Sequence, residues 1–506
     1  MAHRISKLLV FLLTLFVALT CVSQVEQMNS VGSTYVPLDS WVYPAIDKLT
    51  ALGHGATAFS SMRPWTRVEC ARIVRNAGKA SQPIVPEAQT LLSSLRGEFA
   101  PELAELGGLT TPSVELESLY TRFTVISGPP LRDSFHFGQT IVNDYGRPYA
   151  EGFNSTTGLS ARASRGRFAA YVRGEFNRSP ASTPYSDSLR SALATIDGTA
   201  GPASLPKFDS ANQFRFIEAY GTISMMGWNT TFGKQSLWWG QARSGSLMFS
   251  NNAEPITMLR LSRSDAFKLP SVLGWLGPIR MEAFMGRLQG HSYPAHPWIH
   301  GEKFVFKPTE NLELGFSRTV VFGGEGRPFT FNLLYKSYFS VGGVNNSAGF
   351  DAGDRHGGFD FSYRVPGLRK WLVIYSDSLS DDDPSPLAAP RRAAMNPGIY
   401  LPQIPKLPKL DFRAEYAYTD LPSGRSVGGR FIYWNTAYRD SYTNDGNLIG
   451  SWVGREGRGL HLSSTYWFSP QKKIQASYRN ATVSGDFLPG GESLHNFNLG
   501  AEWMLK

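Results

Sequence analysis

Short segments in which apolar and polar residues alternate make up most of the chain, and they predict β-strands with two different faces. In residues 410–418 the apolar side chains alternate with Asp411, Arg413 and Glu415, because strand side chains point to opposite faces in turn. The same period recurs in 217–225 and 497–506. Such strands occur in sandwiches, with the apolar face inward, and in membrane barrels, with the apolar face in lipid and the charges in a wet lumen. Alternation alone leaves both architectures open.

The N-terminal part of the mature chain has the spacing of helices instead. Thr66 and Glu69 form a capping box before an apolar series that ends at Gly78, and Pro86 suits the first turn of a further helix. A third amphipathic segment precedes them. Three such helices can bury one small core between them, so we predict a periplasmic helical subdomain over residues 24–110.

Residues 111–506 are predicted to form one barrel. Strand-length segments alternate with turn signals such as Asp445-Gly446 and Gly490-Gly491, and no convincing helix is evident. At roughly 20–25 residues for each strand and its connection, the region holds about 16–18 antiparallel strands. Four longer unpatterned stretches, 179–207, 288–297, 341–358 and 377–408, are predicted as loops, and the long loops of outer-membrane barrels face the outside of the cell.

A short apolar segment at the N-terminus predicts export. Basic residues precede an apolar run at 8–19, and small residues follow up to Ser23, which is the layout of a secretory signal peptide over residues 1–23. Cys21 raises the alternative of a lipoprotein, which ranks second because the residues before Cys21 make a poor lipobox. Signal removal leaves Cys70 as the single thiol of the sequence, so no intramolecular disulfide is expected.

Composition narrows the choice of architecture. No later segment has the apolar length of a transmembrane helix, and the mean hydropathy is −0.22, so an exported chain of this kind enters a membrane only as a closed barrel. The 50 glycines and 13% aromatic residues suit barrel turns and membrane interfaces. The formal net charge of +9 favours acidic polysaccharide or lipopolysaccharide phosphate over nucleic acid, although a soluble basic surface would give the same charge.

Motifs of catalytic and metal sites are weak. Ser244-Gly245-Ser246 lacks the frame of a hydrolase nucleophile elbow. The three histidines within 291–300 do not have the spacing of a metal motif. Acidic residues at 351–354 and 381–383 do not fit a calcium loop. We therefore predict no catalytic residue, no metal site and no cofactor, and interpret these residues as polar parts of loops and turns.

A looser signature points to carbohydrate. Aromatic faces pack on sugar rings, amides bond hydroxyl groups, and arginine pairs with uronate groups. The candidate polysaccharide-binding residues are Trp238, Trp239, Arg243, Asn251, Asn252 and Arg327. The alternative role for the two tryptophans is the aromatic girdle at the membrane interface, and this is the interpretation that we favour for them.

Five ordered blocks of sequence resemble a known family. They are WWGQARSGSLMFSNNAEP (238–255), KPTENLELGFSRTVVFGGEGRP (307–328), GDRHGGFDFSYRVPGL (353–368), GIYLPQIPKLPKLDFRAEYAYT (398–419) and YTNDGNLIGSWVGREGRG (442–459). They resemble the Wzi-type capsule-assembly family of outer-membrane proteins. The resemblance implies a transmembrane barrel of about eighteen strands with a small periplasmic helical bundle. It also implies a lectin-like role, in which exported capsular polysaccharide or exopolysaccharide is held at the cell surface, and no catalytic residues.

The predicted function is therefore a non-enzymatic outer-membrane barrel that binds and anchors surface polysaccharide. Its expected partners are an acidic capsular polysaccharide or exopolysaccharide and the lipid or lipopolysaccharide of the outer membrane. A porin or polysaccharide channel is the first alternative, and an outer-membrane hydrolase is the second. The sequence ends one strand after the turn at 487–491, whereas the family continues, so the barrel is expected either to be truncated or to close with fewer strands. No feature indicates the oligomeric state.

Overall fold

A computed structural model describes most of the chain. The described residues are 31–78, 84–109, 112–339, 353–381, 393–420, 432–488 and 490–504. The predicted signal peptide and the acidic pair Asp382-Asp383 lie outside them. The expectation of a truncated C-terminus stays a prediction.

An antiparallel sheet rolled into a barrel dominates the described residues, where it contains 17 strands, in agreement with the predicted 16–18. In chain order they are β1 Ser113–Ile126, β2 Gly152–Arg165, β3 Phe168–Ser179, β4 Ala211–Met225, β5 Trp228–Gln235, β6 Ile256–Arg263, β7 Phe267–Lys268, β8 Pro278–Arg287, β9 Trp298–Thr309, β10 Leu312–Phe322, β11 Asp354–Arg364, β12 Val373–Asp381, β13 Ala394–Leu401, β14 Leu410–Tyr418, β15 Gly457–Ser469, β16 Lys472–Val483 and β17 Glu492–Trp503. Each strand pairs with its neighbour along the chain, except that β6 and the two-residue β7 both pair with β8.

The two faces of the strands are arranged as a membrane barrel requires. On β14, Tyr416 is 43% exposed on the outer wall, whereas the neighbouring Glu415 is 2% exposed and points into the lumen. This confirms the orientation expected from the alternating pattern. Ile217 departs from it, because it is the extra residue of a bulge in β4 and is fully buried. A bulge leaves one residue unpaired and shifts the alternation locally.

The ends of the barrel are distinguished by the lengths of the connections. Two-residue turns at 166–167, 226–227, 310–311 and 470–471 join strands at one end, and long connections such as 180–210 join them at the other. Short turns of outer-membrane barrels face the periplasm, so the long connections are extracellular. Gly32, which precedes the helices, donates its N–H to Gly166 at 2.7 Å, and this places the N-terminal segment at the periplasmic end.

Four helices pack at this periplasmic end. They are α1 Val42–Ala51, α2 Arg67–Ala77, α3 Pro86–Glu98 and α4 Ala100–Glu105. The predicted capping box is present, since Thr66 Oγ1 accepts from the Glu69 N–H at 3.2 Å and Glu69 Oε2 accepts from the Thr66 N–H at 2.6 Å. The apolar faces meet in one core whose fully buried members include Ile46, Leu49, Val74 and Leu95. No helix in the described part of the chain is long and apolar enough to cross a membrane.

Two α-helices interrupt the described part of the region in which none was predicted. They are α5 Asp187–Asp197, within an extracellular connection, and α6 Phe331–Phe339, which follows β10. Ser186 caps α5 by accepting the Leu189 N–H at 3.2 Å, and α5 ends at Gly198 with a φ of 68°, a conformation that glycine adopts without strain. The expectation of loops was also wrong for 354–358, where β11 begins, and for the parts of 377–408 that belong to β12 and β13.

Candidate functional site

The lumen of the barrel is filled by two of its own connections. Residues 236–255 and 432–456, which we call the luminal plug, fold inward between the strands. Their apolar side chains form one buried cluster in which the rings of Trp239 and Phe249 lie 5.3 Å apart and those of Phe249 and Tyr442 lie 5.8 Å apart. This cluster therefore closes the lumen at its level.

Inward-facing charges of the strands hold the plug. Trp239 Nε1 donates a hydrogen bond to Glu282 Oε1 on β8 at 2.8 Å. On another part of the wall, Glu415 of β14 accepts from the backbone N–H groups of Arg243 at 2.8 Å and Ser244 at 2.7 Å. The alternating pattern correctly placed such charges in the lumen. Their partners are plug residues, because a carboxylate buried away from water must be paired or hydrogen-bonded.

The predicted tryptophans belong to the plug. Trp238 is 7% exposed and Trp239 is 1% exposed, and Trp238 Nε1 donates to the Ala242 carbonyl at 3.2 Å within the same loop. The girdle interpretation is wrong for this pair, because both rings lie inside the barrel. Direct contact of the two rings with polysaccharide stays a prediction.

Arg243 and Asn252 hold the plug in place, and Asn251 is buried beside Asn252. Arg243 Nε lies 2.8 Å from Asp47 Oδ2 on α1, which connects the plug to the periplasmic helices. Asn252 Nδ2 donates to the Leu448 carbonyl at 3.0 Å, so one amide joins the two connections of the plug. The contacts of Arg243 and Asn252 are thus internal to the barrel, and a role of the predicted residues in binding polysaccharide stays a prediction.

Of the six candidate polysaccharide-binding residues, Arg327 lies at the extracellular end of the barrel. Its guanidinium carbon is 4.8 Å from the ring centroid of Tyr438. Next to Tyr438, the Arg439 N–H donates to the Tyr293 carbonyl at 2.9 Å. We call Tyr293, Arg327, Tyr438 and Arg439 the arginine–tyrosine patch. Sequence reasoning missed three of its members, because three separate connections supply the patch and no local spacing links them.

A single buried carboxylate fixes the backbone beneath the patch. Asp440, which is 1% exposed, accepts from the N–H groups of Ser204 at 2.8 Å, Ser292 at 2.9 Å and Tyr293 at 2.7 Å. Ser204 belongs to the extracellular connection 180–210, and Ser292 and Tyr293 belong to the extracellular connection 288–297. Hydrogen bonds to an ionised acceptor are stronger than neutral ones, so Asp440 holds the patch in a defined arrangement.

A second buried charge cluster attaches α5 to the extracellular end. His136 Nδ1 lies 2.8 Å from Asp133 Oδ2, and His136 Nε2 lies 3.0 Å from Asp197 Oδ2 on α5. Arg455 Nη1 donates to Asp197 Oδ1 at 2.7 Å. Burial alone would lower the pKa of His136, but the carboxylates of Asp133 and Asp197 outweigh it and raise that pKa to about 9. The cluster thus joins two carboxylates to an imidazolium and a guanidinium.

Three side chains are hydrogen-bonded in the order serine, histidine, carboxylate, as in the catalytic triad of a hydrolase. His300 Nδ1 lies 3.2 Å from Glu302 Oε1, and His300 Nε2 lies 3.0 Å from Ser337 Oγ on α6. Both His300 and Ser337 are fully buried where α6 covers the outer wall, and Ser337 Oγ also donates to the Leu334 carbonyl at 2.7 Å. A substrate carbonyl cannot reach Ser337 Oγ in this arrangement, so its contacts are structural.

Potential metal ligands come together once within the described residues. Ligand atoms of Asp354, His356 and Asp381 lie within 4.8 Å of one another. Asp354, expected on a solvated loop, is instead fully buried at the start of β11. It accepts hydrogen bonds from Ser441 Oγ and from Asn435 Nδ2. These donors satisfy the Asp354 carboxylate without an ion.

The fold and the filled lumen define an outer-membrane β-barrel with an internal plug, whose exposed chemistry lies at its two ends. The chain belongs to the capsule assembly protein Wzi family, whose sequence model matches residues 122–506. This confirms the resemblance of the five blocks and places the protein in the outer membrane.

Two known proteins are similar to this chain. An uncharacterized 55.8 kDa protein from the cps region of Klebsiella pneumoniae is 28% identical over 181 residues, so the match spans 35% of this chain and 35% of that relative. The solved structure of Wzi, an outer-membrane protein of group 1 capsule assembly in Escherichia coli that is a carbohydrate-binding β-barrel, aligns over 94% of this chain and 92% of that chain. The TM-score is 0.66 at 20% identity, so this likeness supports the fold.

Proposed function

We propose that the barrel binds capsular polysaccharide or exopolysaccharide at its extracellular end and retains the polymer at the cell surface without chemical turnover. The observation that carries this proposal is the plug, which is hydrogen-bonded to two separate strands of the wall, β8 and β14, through Glu282 and Glu415. A porin needs a continuous water path, and the buried cluster of Trp239, Phe249 and Tyr442 occupies the described lumen. Family membership supports a role in capsule assembly.

The arginine–tyrosine patch suits an acidic polymer. The guanidinium groups of Arg327 and Arg439 can donate paired hydrogen bonds to the carboxylates of acidic sugars. The ring of Tyr293 offers an apolar face for the C–H surface of a pyranose. Because a polymer repeats its acidic units, several weak contacts on one chain or on neighbouring barrels add to a high avidity.

The predicted plug residues contribute indirectly in this proposal. Trp239, Arg243 and Asn252 hold the plug against β8, α1 and its second connection. Since Tyr438 and Arg439 belong to that second connection, these contacts position half of the patch. The hydrolase alternative has no support from Ser337, whose Oγ is buried.

Direct binding tests the proposal. Purified barrel in detergent is titrated with the native polysaccharide in a calorimeter, and the products are analysed for cleavage. We expect saturable binding, no shorter fragments, and an affinity that falls as salt rises, because ionic contacts are screened. The double variant Arg327→Gln with Arg439→Gln should bind about tenfold more weakly.

Arg190→Gln is the matched control for this titration. Arg190 is an exposed arginine on α5 of the same extracellular end, so its removal changes the net charge without touching the patch. If the double variant binds as tightly as the wild type, the patch is not the binding site. The same conclusion follows if Arg190→Gln weakens binding as much as the double variant does. Release of oligosaccharide fragments would favour the hydrolase alternative.

A further inference from the structure

A cavity lies at the periplasmic rim, opposite the arginine–tyrosine patch. It has a volume of about 170 Å³ and is enclosed by the first turns of α3 and by the ends of β14 and β15. Pro86, Leu91, Pro408 and Phe468 provide apolar walls, and Lys48, Glu87 and Lys409 provide charges. None of these residues takes part in the proposed binding of polysaccharide.

Lys48 of α1 is the unusual residue of this cavity. Its side chain is only 2% exposed, and its Nζ makes no hydrogen bond to any residue that the structure describes. The nearest carboxylate oxygen, Asp411 Oδ2, is 3.9 Å away and already accepts the indole N–H of Trp467 at 2.6 Å. A buried ammonium without acceptors is costly, and burial lowers the pKa of Lys48 to about 8. Among the described residues this cation thus has one ion pair, at 3.9 Å, and no hydrogen-bond acceptor.

The position of the mouth relative to the membrane is marked by aromatic side chains. Phe468, which lines the cavity, lies 5.0 Å from the Tyr466 ring and 5.5 Å from the Trp503 ring on the outer wall. All three are exposed. Aromatic girdles of barrels lie at the level of the lipid headgroups, so the cavity opens beside the headgroups of the inner leaflet. Lys409 is exposed at this mouth.

We propose that this cavity binds a phospholipid whose headgroup carries both a phosphate and a primary ammonium. The phosphate oxygens accept hydrogen bonds from Lys48, with Lys409 at the mouth as a second cation. The primary ammonium pairs with Glu87, whose charge already acts on Lys48. Pro86 and Phe468 face the glycerol and the first part of the acyl chains. The lipid thereby fills the gap between α3 and the barrel.

The test uses a short-chain lipid that stays monomeric. Dihexanoyl phosphatidylethanolamine is titrated into the purified full chain in nonionic detergent, and binding is followed by calorimetry. We expect saturable binding to the wild type and about tenfold weaker binding to Lys48→Met, because a charge-assisted hydrogen bond is lost. Lys472→Met, at an exposed lysine next to the same rim, should bind within about twofold of the wild type. Equal binding by Lys48→Met and the wild type overturns the proposal.

A second variant tests the proposed site for the ammonium group of the lipid. It gives a decisive result even if Lys48→Met does not fold. Glu87→Gln should lose the preference for phosphatidylethanolamine over dihexanoyl phosphatidylcholine, since choline has no N–H to donate. An unchanged preference in Glu87→Gln overturns the assignment of the ammonium site. Inorganic phosphate and glucuronate are the further probes. Binding of either probe as tightly as the lipid overturns the lipid assignment and would identify a free-anion or acidic-sugar site instead.

Discussion

Trp239 donates its indole N–H to Glu282 across 2.8 Å, and this contact joins the luminal plug to the barrel wall. Both residues are almost fully buried, at 1% and 2% exposure. Glu282 also pairs with Arg260 of β6, so one carboxylate serves both the wall and the plug. The inward charges that would line a water-filled pore thus act here as attachment points for the protein's own loops.

Removal of the Trp239 ring should loosen the plug. Trp239→Ala deletes a large buried side chain and its hydrogen bond, and we expect a loss of about 3–5 kcal/mol in the free energy of unfolding. The same variant should show intermittent ion conductance in planar bilayers, where the wild type stays closed. Unfolding in urea and single-channel recording measure the two effects.

Trp275→Ala is the control for this variant. Trp275 lies in a periplasmic connection and is 66% exposed, so the same truncation there should change neither stability nor conductance appreciably. Stable open conductance of the wild-type protein would contradict the account of the lumen and favour the channel alternative.

The buried cluster around His136 should make the extracellular end sensitive to alkaline pH. The pKa of His136 is raised from 6.5 to about 9 in the folded protein. Its contribution to stability is therefore complete below pH 6.5 and is lost as the pH rises through about 9, with a total on the order of 3 kcal/mol. Limited proteolysis of the extracellular connections from pH 6 to 10 should show faster cleavage near α5 at the upper end.

His136→Gln tests whether this residue is the origin of the effect. Glutamine keeps hydrogen-bonding capacity but does not titrate, so the variant should be cleaved faster than the wild type at pH 6 and should show little further change up to pH 10. Asp133, Asp197, Arg455 and Tyr185 are the charged or titratable groups around His136. A pH profile that survives in His136→Gln would assign the effect to one of them.

The outward orientation of Ala414 gives a test of membrane insertion. Ala414 is at the middle of β14, where it pairs with Leu462 of β15 and Ile399 of β13. Ala414→Arg should cost about 2–4 kcal/mol if this position is near the bilayer midplane. Refolding into vesicles measures this cost. Ala104→Arg on α4, at an exposed position, should be nearly neutral, and equal stability of the two variants would argue against a lipid-facing Ala414.

Asp440 should control polysaccharide affinity without contacting the polymer. Asp440→Asn keeps the shape but replaces an ionised acceptor of three N–H groups by a neutral amide, which weakens each hydrogen bond. We expect about tenfold weaker binding of polysaccharide with a folded barrel. Asp445→Asn is the control, because Asp445 forms an exposed pair with Lys207 at the same end. Equal affinities of the two variants would contradict the positioning role of Asp440.

The strands and the first helices could be predicted because their signals are local. Alternation in 410–418 reports the two faces of a strand directly, and the Thr66–Glu69 capping box spans three residues. The helix α5 was missed although Leu189, Leu193 and Ile196 follow a helical period, because the segment is short and lies between stretches that contain proline and glycine. β13 was missed because Pro397 lies within it, although Pro397 pairs with Ser376 in the sheet.

The plug could not be predicted, because its contacts join residues far apart in the chain. Trp239 and Glu282 are 43 positions apart, and Asp440 and Ser204 are 236 positions apart. No periodicity within 236–255 distinguishes a loop in the lumen from one in water. The burial of the predicted residues within 238–252 therefore followed only from the barrel that surrounds them.

Retention of polymer by living cells tests the central claim most directly. Polysaccharide bound to cells and polysaccharide in the medium are quantified in a strain that lacks the gene, with and without complementation by the wild type or by Arg327→Gln with Arg439→Gln. The account predicts unchanged total polymer, a large fall in the bound fraction, and recovery only with the wild type. Bound polymer that is the same in the deletion strain as in the parent would contradict it.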